Sequence, residues 1–241
     1  MKSIIITGAS RGIGYETALL LANEYDYIAI CCSKDSKKLG ELMNKIETMG
    51  KRCLAMVGDV SDYDFAKQMV EKVINDCGEI TAIVNNAAIS EVGVFTDFTP
   101  DAWQHIMNVN INSVYNFCHA ALPYMINKKA GKIINISSVW GLVGASCEVA
   151  YSTTKGAVNA FTKALAKELA PSNISVNAIA FGAVNTTMNG HLEQEEVDAL
   201  CDEIPYGRMC SPIEAAQAIK GVLDMPGYVT GEVIKVDGGW I

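Results

Sequence analysis

Ser138, Tyr151 and Lys155 are the residues of this chain whose types and spacing could do chemistry. Tyr151 and Lys155 stand one helical turn apart, so their side chains share a face. A phenol beside an ammonium is a device for moving a proton. The positive charge favours the phenolate and draws the tyrosine pKa down from about 10 toward the working pH. Separated from Tyr151 by twelve residues, Ser137 and Ser138 follow the run Lys132-Ile133-Ile134-Asn135-Ile136. That run is short, β-branched and preceded by Gly131, so it reads as a buried strand. Such a strand delivers both hydroxyls to its carboxyl end, where open α/β sheets bind their ligands.

The spacing alone does not single out Tyr151, because Tyr63/Lys67 and Tyr124/Lys128 have it too. An exposed helix face, with a tyrosine lying along a lysine stem, accounts for those two. Only Tyr151 has a hydroxyl pair at a strand end just upstream.

The elements that must position these groups alternate. Strands are expected at 3–7, 28–32, 53–57, 82–85, 132–136, 174–179 and 233–236. Helices are expected at 13–24, 36–49, 63–77, 99–128, from Tyr151 to 169, and at 212–223. Pro100 and Pro212 suit first helical turns, and Ser61 suits a cap. The acidic stretch 185–203 reads as a mobile helical flap. Strands alternating with helices imply a mostly parallel sheet with helices on both faces. No composition break, linker or repeat divides the chain, so residues 1–241 are expected to form one doubly wound domain with seven strands.

Composition narrows the function. Half of the residues are hydrophobic and 19% are charged, the balance of a compact soluble protein. No apolar run approaches the ~18 residues that span a bilayer. The start is too short for a secretory signal before it enters a glycine loop. A net charge of −8 disfavours nucleic acid and anionic membrane as partners. None of the eight cysteines forms a Cys-x-x-Cys pair, which suits inert thiols in a reducing cytoplasm. His105, His119 and His191 have no second ligand nearby in sequence, so no metal site is expected.

Between the first strand and first helix lies Thr7-Gly8-Ala9-Ser10-Arg11-Gly12-Ile13-Gly14. Glycines there let the chain turn tightly and bring backbone N–H groups to a pyrophosphate at a helix N-terminus. The spacing is Gly-x-x-x-Gly-x-Gly, not the commoner Gly-x-Gly-x-x-Gly. The second strand ends Cys31-Cys32-Ser33-Lys34, where enzymes that use NAD place a carboxylate for the adenosine ribose. With none there, and with Arg11 and Lys34 supplying positive charge, the expected cofactor is NADP(H). Asp35 complicates this, although it falls beyond the strand.

These motifs together resemble the short-chain dehydrogenase/reductase family over essentially the whole chain. The resemblance implies that Gly8, Ser10, Arg11, Gly12, Ile13 and Gly14 form the cofactor loop, with Ser33 and Lys34 at the adenosine ribose. Asp59 and Val60 match the pair that contacts adenine. Asn86 and Ala87 lie in Asn85-Asn86-Ala87-Ala88, where the family has Asn-Asn-Ala-Gly. Gly182, Val184 and Thr186 match the segment over the nicotinamide, with Phe181 where proline is usual. Asn110, Ser138, Tyr151 and Lys155 match the catalytic four, and Tyr151 and Lys155 also contact the nicotinamide side of the cofactor.

The activity implied is reduction of a ketone, in an oxidoreductase acting on CH–OH groups. Tyr151 donates a proton to the ketone oxygen and Ser138 holds that oxygen. Asn110 would hold a water linking Lys155 to solvent; read by itself, it is equally a helix-bend residue satisfying freed backbone groups. Family members assemble as dimers or tetramers through the helices carrying 110–128 and 151–169.

Two branches of the family compete for the substrate. The β-ketoacyl-acyl-carrier-protein reductases resemble the chain throughout, and Lys128 and Lys129 match part of their surface for an acidic carrier protein. No arginine stands at Pro171-Ser172-Asn173, where they commonly have one. The loop Trp140-Gly141-Leu142-Val143-Gly144-Ala145-Ser146-Cys147-Glu148 resembles that of reductases acting on a 5-aminopentanone group on elongation factor P. Glu148, Glu193, Glu195 and Glu196 would then suit an amine-bearing ketone. Glu148 is otherwise a helix-starting acid, and the other three face water. A nucleotide-binding sensor without turnover is the contrasting class, but such a protein would have lost a reacting group.

Overall fold

The computed structural model describes residues 1–190 and 192–241, so His191 lies outside the described residues. Seven strands form one sheet in the order β3-β2-β1-β4-β5-β6-β7. They are β1 (Ser3–Ile6), β2 (Tyr27–Cys32), β3 (Arg52–Val57), β4 (Ala82–Asn85), β5 (Gly131–Ser138), β6 (Ile174–Phe181) and β7 (Val233–Val236). Every pairing is parallel. Strands β1, β2, β4 and β6 are buried along their whole length, which requires helices on both faces. Successive side chains alternate between the faces. Ile4 and Ile6 pack in the cluster containing Leu39, Leu42 and Ile219, and Ile5 in the one containing Val70, Phe117 and Val158. The first cluster is covered by α1 (Gly12–Leu21), α2 (Ser36–Thr48) and α9 (Pro212–Asp224). The second is covered by α3 (Tyr63–Cys77), α5 (Ser113–Lys128) and α7 (Val149–Leu169).

From β1 the chain runs outward to β3, then crosses back to β4 on the other side of β1. The loops leaving the carboxyl ends of β1 and β4 therefore meet, at the reversal point where doubly wound sheets bind ligands.

Three features differ from the sequence-based expectation. Strands β5 and β6 run two residues further, pairing Ser137 with Ala180 and Ser138 with Phe181. The serines thus belong to the rigid sheet, not to a loop after it. The single helix expected at 99–128 is two, α4 (Pro100–Met107) and α5, joined by a π-helical turn at Asn108–Asn112. Inserted turns of this kind re-aim a side chain inside a helix, and here the buried one is Asn110. The third is a short helix, α6 (Trp140–Val143), before α7; in the acidic stretch, where a helix was expected, lies α8 (Gln194–Glu203).

All eight cysteines are free. Burial pushes the Cys31, Cys53 and Cys118 thiols up to about 12, so they stay protonated. Among the described residues no side-chain group could hold a metal, and no helix is long and apolar enough to cross a membrane.

Phe117 is fully buried between α5 and the sheet. Phe117→Ala is expected to lower the unfolding free energy by about 3–5 kcal/mol in urea titration, with the fold retained.

Candidate active site

Ser138 ends β5, and Tyr151 and Lys155 lie on the first turns of α7. The Ser138 hydroxyl stands close enough to the Tyr151 phenol to draw on its proton equilibrium. Lys155 is only 2% exposed; its Nζ donates to the Ile136 carbonyl at 2.8 Å and lies 5.5 Å from the Tyr151 ring centre. Ser137 Oγ donates to the Lys155 carbonyl at 3.3 Å, tying helix to strand. Gly141 makes this packing possible, because a Cβ there would lie 2.6 Å from the Lys155 carbonyl carbon. Three groups from two elements are thus fixed by a strand end and a helix start.

The electrostatics correct one expectation. Burial pushes the Tyr151 phenol above its ordinary value, the Glu148 carboxylate pushes it further, and only the neighbouring Ser138 hydroxyl draws it back. Lys155 does not produce the lowering foreseen from its charge. Its own ammonium is pushed down to about 8 by burial. The phenol therefore keeps its proton.

The Asn110 side chain is held by the loop after β4 and by α7. Its Oδ1 accepts from the Ile89 N–H at 2.8 Å, and its Nδ2 donates to the Ile89 carbonyl at 2.8 Å and to Thr154 Oγ1 at 3.1 Å. Thr154 Oγ1 in turn donates to the Tyr151 carbonyl at 2.7 Å. The side chain satisfies backbone groups of the loop after β4, not of its own helix, and joins that loop to α7. Both amide hydrogens are engaged, so any water would have to sit on an oxygen of Asn110.

The same loop carries a residue that sequence reasoning missed. Ser90 Oγ donates to Glu148 Oε2 at 2.9 Å. Glu148 precedes α7 but makes no capping hydrogen bond to it. Its carboxylate is instead held toward the β4 loop, near enough to Tyr151 to raise the phenol. Ser90 lies just past Asn85-Asn86-Ala87-Ala88, and only that proximity could have pointed to it.

At the other end of the cleft, the loop after β1 is built around Thr7 and Asn86. Thr7 Oγ1 accepts from the N–H groups of Asn86 and Ala87, both at 3.0 Å. Asn86 Nδ2 donates to the Thr7 and Gly8 carbonyls at 2.9 and 3.1 Å. Gly8 has φ +67°, and a Cβ on Gly14 would lie 2.5 Å from the Gly8 carbonyl oxygen. Only glycine fits either place. Arg11, before α1, offers no side-chain cap, and the first turn holds no acid. The N–H groups of Gly12, Ile13 and Gly14 are thus left for an anion, and the cradle fits a dinucleotide pyrophosphate.

The other residues expected at the cofactor lie in the loops after β1, β2, β3 and β6. Thr186 meets Gly12, with its Cγ2 3.2 Å from where a Cβ would stand. Gly182 packs on Asp237, and Val184 is buried beside Cys210. Ser10 and Val60 are buried, whereas Asp59 is exposed and accepts from the Ser61 N–H and hydroxyl at 2.9 and 2.8 Å. Ser33 and Lys34 are exposed past the end of β2. Asp35 caps α2 by accepting from the Lys38 N–H, and it pairs with the Lys38 ammonium at 3.7 Å.

A family model for short chain dehydrogenases matches residues 2–197. The chain belongs to this family. This dehydrogenase is an oxidoreductase of the Rossmann type, and its family works with nicotinamide dinucleotides. It is 39% identical over 241 residues to an oxidoreductase of Bacillus subtilis (strain 168) called YmfI and described as uncharacterized, covering 99% of this chain and 98% of that one. It is 38% identical to the 3-oxoacyl-[acyl-carrier-protein] reductase FabG of Thermotoga maritima, covering 100% and 98%. It is 34% identical to Nodulation protein G of Azospirillum brasilense, covering 99% and 97%.

The buried lysine of this dehydrogenase has a measurable cost. Between pH 8 and 10.5 the folded chain binds fewer protons at Lys155 than the unfolded chain does. Stability therefore rises with pH across that window, and below it the penalty is about 3 kcal/mol. Lys155→Met is expected to raise the unfolding free energy at pH 7 by about 1–2 kcal/mol, after the lost hydrogen bond to Ile136 is subtracted. That gain should shrink steadily from pH 8 to 10.5 in denaturant titrations.

Proposed function

We propose that this dehydrogenase uses NADPH to reduce a ketone to a secondary alcohol, with Ser138, Tyr151 and Lys155 as the reacting group and Asn110 holding its loop. A bound nicotinamide supplies the hydride. The Tyr151 hydroxyl gives its proton to the ketone oxygen, which Ser138 steadies by a hydrogen bond. The meeting of Ser138 at the end of β5 with Tyr151 and the buried Lys155 at the start of α7 carries this reading. A phenol kept protonated by burial and by Glu148 suits the direction of reduction, in which it acts as an acid. Lys155, buried beneath the tyrosine, is the group from which the phenolate regains a proton. The exposed Arg11, Ser33 and Lys34 support NADPH, since no carboxylate stands among them to repel a ribose phosphate. The nearest, Asp35, is engaged by α2 and Lys38.

For the ketone, Glu148 favours the substrate with an amine, the 5-aminopentanone group on elongation factor P. It is the one acid among the four considered that is held near Tyr151. Glu193, Glu195 and Glu196 are exposed, and the Glu196 carboxylate accepts from the Glu193 N–H at 2.9 Å. An ionised Glu148 attracts an ammonium and repels an anionic pantetheine arm. The second reading, a 3-oxoacyl-[acyl-carrier-protein] reductase, is favoured by the names of several relatives and by the exposed Lys128 and Lys129. Exposed Tyr115 and Ile126 on α5 support assembly through that helix.

Tyr151→Phe is expected to lower turnover at least about a thousandfold while NADPH affinity measured by calorimetry stays within about threefold. In the parent, NADPH should be used in preference to NADH; the reverse order rejects the cofactor assignment. Glu148→Gln should raise KM for 5-amino-2-pentanone about tenfold and leave KM for acetoacetyl-CoA unchanged or lower. The opposite pattern would favour the acyl-carrier reading.

A further inference from the structure

The last five residues form a compact turn beyond β7. The Asp237 side chain is 5% exposed and pairs with Lys235 at 3.3 Å. Its two carboxylate oxygens accept from the N–H groups of Gly239 and Ile241 at 3.0 and 2.9 Å. A Cβ on Gly182 would lie 2.9 Å from the Asp237 Cβ, and one on Gly238 (φ +67°) 2.9 Å from Ile204. The Tyr206 N–H donates to the Gly238 carbonyl at 3.1 Å. The turn is therefore fastened to both β6 and the segment after α8.

What it presents is Trp240, whose ring meets Trp140 edge-to-face, with centres 4.9 Å apart and planes at 61°. Trp140 opens α6, and its backbone N–H donates to Ser138 Oγ at 3.2 Å. The next residue is Gly141, pressed against the Lys155 backbone, and its carbonyl accepts from Asn159 Nδ2 at 3.0 Å. The Trp140 N–H occupies one lone pair of the Ser138 hydroxyl, leaving its hydrogen and second lone pair for Tyr151 and a substrate oxygen. Where that N–H points depends on how Trp140 is held. Neither tryptophan is fully buried, so core packing alone does not hold either ring.

We propose that Trp240 is a positioning residue: the carboxyl-terminal turn braces Trp140 and thereby sets the direction of the Ser138 hydroxyl. The kinetic part rests on the reductase reading above. The structural part does not, and hydrogen exchange tests it without turnover.

The experiment compares the parent protein with Trp240→Ala and Trp240→Phe. Exchange of backbone amides in residues 138–148 should be at least about threefold faster in Trp240→Ala, close to the parent in Trp240→Phe, and unchanged in the middle of α7. Unchanged exchange in 138–148 overturns the brace. With NADPH and either acetoacetyl-CoA or 5-amino-2-pentanone, kcat should fall about tenfold in Trp240→Ala, with KM and NADPH affinity within about threefold. Trp240→Phe, which keeps a ring edge, should recover most of that loss. Single-turnover rates in a Ser138→Ala background should show no further fall when Trp240→Ala is added, because the tryptophan acts through the serine. Additive losses, or a change confined to KM, overturn the positioning role. An inactive parent with faster exchange in Trp240→Ala rejects the reductase reading and leaves the brace standing. If Trp240→Ala does not fold, Trp240→Leu takes its place in each comparison, since it keeps apolar bulk without the ring edge.

Discussion

An amine almost wholly removed from water lies under the cleft, and the structure around it follows from that constraint. Lys155 is 2% exposed, and its ammonium is held by the Ile136 carbonyl. Dehydration disfavours its charge, so the site holds a proton source poised near neutrality, not a fixed cation. Burying an amine there is tolerable only if the surrounding frame is rigid. The long pairing of β5 with β6 supplies one wall, and the close approach of Gly141 to α7 supplies the other.

The same constraint explains why so many contacts in the cleft join one backbone to another through a short polar side chain. Thr7 and Asn86 lock the loop after β1 to the loop after β4. Asn110 locks the later part of that second loop to α7 through Thr154. Loops at the carboxyl ends of parallel strands have backbone groups with no ladder to pair with, and each must find a partner. Here their partners are the residues that bring the dinucleotide end and the tyrosine end of the cleft into one frame.

Charge gives the cleft its chemical character. The phenol is surrounded by burial and a carboxylate, both of which favour its protonated form, and one hydroxyl, which does not. Glu148 is steadied by Ser90 instead of capping its helix, so its charge is directed at the cleft and not at the helix dipole. A half-buried carboxylate beside a phenol favours positive charge in its surroundings and disfavours negative charge.

Much of this was legible in the sequence. Alternating apolar strands and amphipathic helices determined a doubly wound parallel sheet, because only one layering buries strands that are apolar on both faces. The glycine spacing before α1 and the Ser138, Tyr151 and Lys155 pattern were readable because they depend on local turns and helical periodicity. Tertiary structure decided what local patterns do not encode. The π-helical turn at Asn110 and the two extra residues of β5 follow from partners distant in the chain. The direction of the Tyr151 shift depends on burial, which spacing does not reveal, and it came out opposite to the charge argument. The pairs Ser90–Glu148 and Trp140–Trp240 join residues 58 and 100 positions apart. Such contacts exist only once the strands have taken their places, because sheet order, not sequence distance, brings those side chains together.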